Sequence, residues 1–147
     1  MMFAKLFPIF IAILGGILVA ILIRLNAALG ERVGILESSF VVHLIGTIFA
    51  LPFLFGKFSS FSFSRLKQFP PHLFFGGMYG ILIVLSSNYL VSHIGMALTV
   101  GIFLASNLIF GTLADHFGVF GLPVFPCDRR RVFGLALSAL GVGFLLG

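Results

Sequence analysis

Few side chains in this 147-residue chain can do chemistry, and the most isolated of them is His43. Around it stand Ser39, Gly46 and Thr47, at spacings of four, three and four residues. Those spacings place the four residues on one face of a helix. The stripe is weakly polar and suits protein or water rather than lipid. An ionisable side chain at the centre of a membrane-spanning helix costs about 2.5–3.5 kcal/mol on insertion scales and is a functional candidate by default. Two readings of His43 are open: a neutral imidazole bonded to a neighbouring helix, or a site for a proton or a substrate.

The other polar groups lie nearer the ends of the apolar runs. Glu37 has Arg24 and Arg32 near the same surface, and reads as an interfacial cap or ion-pair partner. Asp115 follows Gly111 by four residues and Asn107 by eight, at the end of a helix-length run. A carboxylate at a helix C-terminus opposes the helix dipole, so a compensating cation is expected from His116 or from an arginine of "DRRR". A structural or gating role follows for Asp115 and His116. Asn26, Ser87, Asn88, Ser106 and Asn107 are amides and hydroxyls that can bind a substrate or cross-link helices. No catalytic set stands out: there is no His-Glu-x-x-His, no Gly-x-Ser-x-Gly and no phosphate loop. The chain is not expected to be an enzyme or to carry a cofactor. Its one cysteine, Cys127, permits no internal disulfide and no thiol cluster for a metal.

The elements that must position these groups follow from composition. Hydrophobic residues make up 60% of the chain and charged residues only 9%, whereas a soluble domain carries about 25% charged residues. Nothing polar is left to cover a soluble core, so an all-α integral membrane protein is expected. Barrel strands would need segments of about ten residues with alternating polarity, and these runs are continuously apolar. The net charge of +5 is read as a topology signal rather than as a nucleic-acid surface.

Five membrane spans are expected, over about 7–28, 36–55, 72–91, 94–114 and 131–147, forming one transmembrane domain. "GERVG" (Gly30–Gly34) links the first two. Phe58, Phe61, Phe63 and Phe69 of the next linker are expected at headgroup level. "LSSNYLVSHIGMALTV" (Leu85–Val100) lies within an apolar run of about forty residues, roughly twice what a bilayer needs. It is expected to be an outer-face hairpin, with Ser92 and His93 at the turn and Gly95 opening the fourth span. The N-terminus and the second and fourth linkers carry Lys5, Lys57, Arg65, Lys67, Arg129, Arg130 and Arg131, against Arg24 and Arg32 on the other side. The positive-inside rule then places the N-terminus in the cytoplasm and the C-terminus outside.

Helices in lipid approach closely through small residues. Rows at four-residue spacing run through Ala12, Gly16 and Ala20; Gly76 and Gly80; Ala97, Gly101 and Ala105; and Ala139, Gly143 and Gly147. They serve packing within one bundle, or a subunit interface formed by the fourth or fifth span.

"LNAALGERVG" after the first span, "LIGT" in the second, "LSSNYLVSHIGMALTV", "DHFGVFGLP" after the fourth and "GLALSALGVGFLL" in the fifth together resemble the YdcZ family, in the right order over nearly the whole chain. That family is a five-helix branch of the drug/metabolite transporter superfamily, related to EamA-like proteins. The resemblance implies a bacterial inner-membrane protein that is half of an inverted-repeat transporter. It would pair antiparallel with a second copy or with an oppositely oriented five-helix homologue. The one-sided Lys/Arg count fits the second pairing better. Two positions depart from the family pattern. His43 replaces an aromatic or small residue, and Asn107 replaces a glutamine. The expected function is movement of a small metabolite or drug-like molecule through a site lined by Asn26, His43, Ser87, Asn88 and Asn107. The rival reading is a non-transporting accessory subunit of another membrane complex, suggested by the scarcity of membrane-embedded charge.

Overall fold

The structure, a computed structural model, describes residues 2–55, 67–121 and 123–147. These form five α-helices: α1 (Met2–Val33), α2 (Ile35–Phe55), α3 (Gly76–Ile94), α4 (Met96–Phe117) and α5 (Arg129–Leu146). A 3-10 turn, Pro71–Phe75, leads into α3, and another, Val119–Gly121, follows α4. Phe58, Phe61 and Phe63, like Lys57 and Arg65, lie outside the described residues, as does the side chain of Lys5. Helices are what lipid demands, since each satisfies its own backbone polar groups.

Among the described residues, four segments are long and apolar enough to cross a membrane: Leu6–Val33, Ile35–Phe53, Pro71–Ile94 and Met96–Phe117. Helix α5 has 18 residues, and its first turn is Arg129, Arg130 and Arg131. The distribution of burial is the reverse of a soluble domain's. Phe53 and Phe144 are 84% and 86% exposed, while Ser38, Ser87 and Thr99 are the most completely buried side chains. Apolar surface turned outward suits lipid, and polar groups turned inward find partners only in protein.

Two expected boundaries shift. The stretch Gly30–Gly34 is not a linker, because α1 continues through Val33 and only Gly34 leaves helical geometry, with φ +104°. The break is this short because the hydrogen-bond ladder resumes on both sides of it. Gly34 donates to the Gly30 carbonyl (3.0 Å) and Ser38 donates to the Gly34 carbonyl (2.9 Å). Likewise Ser92 and His93 do not form a turn. They belong to α3, which runs to Ile94, and the Ser92 hydroxyl bonds back to the Tyr89 carbonyl at 2.8 Å. The break is Gly95 alone, with φ +77°, a conformation that glycine adopts without steric cost. Thr99 then anchors the start of α4, donating from both its backbone nitrogen (3.2 Å) and its hydroxyl (2.7 Å) to the Gly95 carbonyl.

The chain divides into two compact units, one ending at Ser92 and one beginning at His93. In the first, α1 packs along α2. The buried face of α1 is Ile23, Asn26, Ala27 and Gly30, whose spacings of three, one and three mark one helical stripe. The expected row of Ala12, Gly16 and Ala20 continues this stripe toward the N-terminus, where Ala20 is half-buried and a Cβ added at Gly16 would meet nothing within 4 Å among the described residues. In the second unit α4 packs against α5. There Gly101 admits Leu145, whose Cδ1 would stand 3.2 Å from a Cβ at that position. Ala105 is half-buried one turn further on.

Candidate functional site

Each unit holds a polar cluster, and the two are built differently. In the first unit the amide of Asn88 on α3 donates to the Ser38 hydroxyl on α2 at 2.8 Å. Gly30 of α1 lies over this bond. A Cβ there would be 3.2 Å from Asn88 Nδ2 and 3.3 Å from Ser38 Oγ. Three helices thus meet at one hydrogen bond, and the absent side chain of Gly30 is what allows it. The Ser38 hydroxyl in turn donates a hydrogen bond to the Ile35 carbonyl at 3.0 Å. The network is incomplete: Asn88 Oδ1, and the Oγ of Ser39 next to Ser38, are buried and have no hydrogen-bond partner among the described residues. A buried polar atom left unpaired costs about 1–3 kcal/mol, so such atoms call for an explanation.

Beside this node lies a cavity of about 410 Å³ lined by Asn26, His43, Gly46, Thr47, Ala50 and Val84, among others. The polar stripe seen in the sequence therefore faces a groove. Asn26 and His43, two of the expected substrate residues, share it. Among the described residues His43 makes no hydrogen bond to a neighbouring helix. Its Nδ1 lies 2.7 Å from the Ser39 carbonyl of its own helix, and the Thr47 hydroxyl continues the chain by donating to the His43 carbonyl at 2.8 Å. Across from the ring sits Gly80 of α3, where a Cβ would be 3.4 Å from His43 Nε2. Ser87 is 1% exposed, but its hydroxyl is taken up by the Val84 carbonyl at 3.0 Å.

Glu37 lies in the first turn of α2. Its carboxylate folds over Gly34, where any Cβ would collide with Glu37 Oε2. A negative charge at a helix N-terminus complements the dipole. Arg24 takes Glu31 as its partner, at 3.6 Å with both groups about half exposed.

In the second unit, Asn107, Gly111 and Asp115 follow one another along α4 and line a cavity of about 440 Å³ with Thr112, Arg131 and Gly134. Asp115 has two roles. Its carboxylate accepts from Arg131 Nη1 at 2.8 Å, and its backbone carbonyl accepts from the Phe125 amide, also at 2.8 Å. The cation the helix end requires is thus Arg131, not His116. His116 Nδ1 instead accepts the Cys127 amide at 3.1 Å. Gly118, at φ +60° in the left-handed region, caps α4 by donating to the Ala114 carbonyl, the usual way of satisfying the last carbonyls. The loop after α4 is therefore laced to the helix end. Arg131 also lies 6.0 Å from the centre of the Phe125 ring, within the reach of a cation–π contact. Helix α5 starts despite three arginines at its positive pole because Asp128 caps it, accepting the Arg131 amide at 2.9 Å.

The expected substrate residues thus fall into two groups. Asn26 and His43 share a groove in the first unit, with Ser87 and Asn88 buried in the same unit, and Asn107 lies in the second with Asp115. Three polar contributors carried no sequence expectation: Ser38, Thr112 and Thr99. Ser38 is one of two adjacent serines, and only the direction in which α1 and α3 approach α2 distinguishes it from Ser39.

A sequence model of one protein family, described as "Putative inner membrane exporter, YdcZ", matches residues 7–144. No curated protein matches the chain, and no solved structure does.

Proposed function

The chain belongs to the YdcZ family, of the drug/metabolite-transporter type, and from that premise we propose that it is one subunit of a secondary transporter that moves a small metabolite or drug-like molecule. Membership makes it a multi-pass inner-membrane protein in a transport role. The finer reading is that α5 forms a fifth span and that the working unit is an antiparallel dimer. The family description supports export as the direction.

The observation that carries this reading is the groove in which Asn26, His43 and Thr47 stand among otherwise apolar lining side chains. Buried or groove-lining polar groups in a span are costly, and a passing solute gives them a use. Gly76 and Gly143 support a second chain, since a Cβ at either would meet nothing within 4 Å among the described residues. Such positions offer a close backbone approach to another helix. The Lys/Arg asymmetry supports a partner of opposite orientation.

Flux in proteoliposomes tests the reading, with the chain alone and with any neighbouring five-helix homologue, over a panel of cationic, zwitterionic and neutral solutes. Solute movement in one pairing is expected. Its absence in every pairing, together with co-purification of an unrelated membrane complex, would replace this reading with that of an accessory subunit.

Orientation has its own test. Cys127 is the chain's single cysteine, and it precedes α5. With the N-terminus cytoplasmic, a membrane-impermeant maleimide should label it in inverted vesicles and not in intact cells. A denatured control would show that its thiol is otherwise reachable. Labelling from outside would reverse the proposed topology.

A further inference from the structure

We propose that His43 is the proton-coupling residue of this chain, taking up a proton at Nε2 and releasing it during each transport cycle. The inference rests on the transporter reading above and names the ion that drives it.

The geometry of the ring is the starting point. Nδ1 lies 2.7 Å from the Ser39 carbonyl oxygen. A carbonyl can only accept, so Nδ1 carries a hydrogen whatever the charge of the ring. In the neutral imidazole the lone pair must then sit on Nε2. The nearest neighbour on that side is Gly80, where the absence of a side chain leaves Nε2 uncrowded. A larger residue at Gly80 would press on the proton-accepting atom.

The surroundings offer the proton no other stop. His43 borders two cavities, the groove already described and a smaller one of about 180 Å³ lined by Ser39, Phe40, Ile81 and Leu85, among others. Helix α1 presents Leu22 and Asn26 to these cavities, and α3 presents Ile81, Val84 and Leu85. None of the lining residues except His43 is charged or titratable. The smaller cavity holds the second observation. Ser39 is 2% exposed, and its hydroxyl has no hydrogen-bond partner. A buried hydroxyl is rarely left so, and the cavity exceeds the roughly 10–15 Å³ that one water occupies. Ser39 and His43 are the polar residues among those that line this cavity, the rest being apolar.

The step balances simply. A hydronium ion reaching the cavity gives its proton to the Nε2 lone pair, leaving water and an imidazolium with N–H on both nitrogens. The Nδ1–H to Ser39 bond is kept throughout. Loss of the Nε2 proton to water on the other side restores the neutral ring. The charge that appears in the span is one that lipid penalises, so the imidazolium needs water or a polar partner beside it.

The test uses the full chain with ¹⁵N-labelled histidine in lipid bilayers, followed by solid-state NMR between about pH 8 and pH 5. His43→Gln assigns the His43 signals by difference. Expected is one hydrogen-bonded N–H nitrogen and one lone-pair nitrogen at high pH, with the second gaining a proton as pH falls. A ring protonated on Nε2 and bare on Nδ1, or one that never changes over this range, would overturn the proposal. In proteoliposomes, wild-type flux should depend on an imposed pH gradient. His43→Gln should abolish the response of flux to the gradient, so that any remaining flux is the same with and without it. Wild-type flux indifferent to the gradient would also overturn the proposal. No wild-type flux in any pairing would instead sink the transporter reading, and with it the coupling role. The NMR titration would still decide whether His43 accepts a proton.

Discussion

Gly30→Leu is expected to cause a large loss of stability in the first unit. The leucine Cβ alone would stand 3.2 Å from Asn88 Nδ2 and 3.3 Å from Ser38 Oγ, and the remaining carbons have nowhere to go but between α1 and the bond it covers. Overpacking of this kind costs about 1–3 kcal/mol. Loss of the Asn88–Ser38 bond adds about 0.6 kcal/mol, the average for interhelical bonds in membranes. Gly30→Ala should behave differently. Its single methyl requires a shift of a few tenths of an ångström, and alanine's helix propensity offsets that by up to about 1 kcal/mol. Thermal unfolding in lipid nanodiscs should therefore place Gly30→Leu well below wild type and Gly30→Ala near it. Gly16→Leu, on the same helix with nothing within 4 Å among the described residues, is the comparison and should lower stability less than Gly30→Leu. Equal effects of Gly30→Leu and Gly16→Leu would remove the three-helix node from the account of stability.

Reversal of one charge in the second unit should be nearly as damaging, and repairable. In Arg131→Glu a second carboxylate would face Asp115 where a guanidinium now donates at 2.8 Å. Charge-assisted hydrogen bonds are worth about 1.5–3 kcal/mol. Because both partners are about one-third exposed, solvent screening moves the expected loss to the lower part of that range. The consequence reaches further than the pair, because Asp115 also anchors Phe125 through its backbone carbonyl. Protease sensitivity of the loop before α5 should rise in Arg131→Glu. The swap Asp115→Arg with Arg131→Glu should restore most of the resistance. A swap that repairs nothing would show that Arg131 acts through its contact with Phe125 rather than through charge.

The two residues illustrate what can be read from a chain of this kind. That Asp115 needs a cation followed from its place at a helix end, because the dipole argument is local and needs only the order of residues. Which cation it takes did not follow. His116 is adjacent and Arg131 is sixteen residues away, yet the return of the chain through Phe125 and Cys127 brings the arginine to the carboxylate and turns His116 to a backbone amide. His43 behaves similarly. Its stripe with Ser39, Gly46 and Thr47 was legible from spacing alone. That its hydrogen bond stays within α2, leaving Nε2 toward Gly80, depends on how closely α3 approaches.

The sequence by itself determined that this is a helical membrane protein and which family it belongs to. Hydropathy and residue order are sums and spacings along one chain, and need no knowledge of what lies opposite. Only the tertiary structure decided that Gly30 is a packing residue within a helix rather than part of a linker, that Ser38 and not Ser39 meets Asn88, and that a single glycine, Gly95, breaks the helix after Ile94. In a chain so rich in apolar side chains many registers bury similar surface, so hydropathy cannot choose among them. The choice falls to a few polar atoms and missing side chains, which reveal their partners only once residues fifty positions apart, such as Ser38 and Asn88, stand within a hydrogen bond of each other.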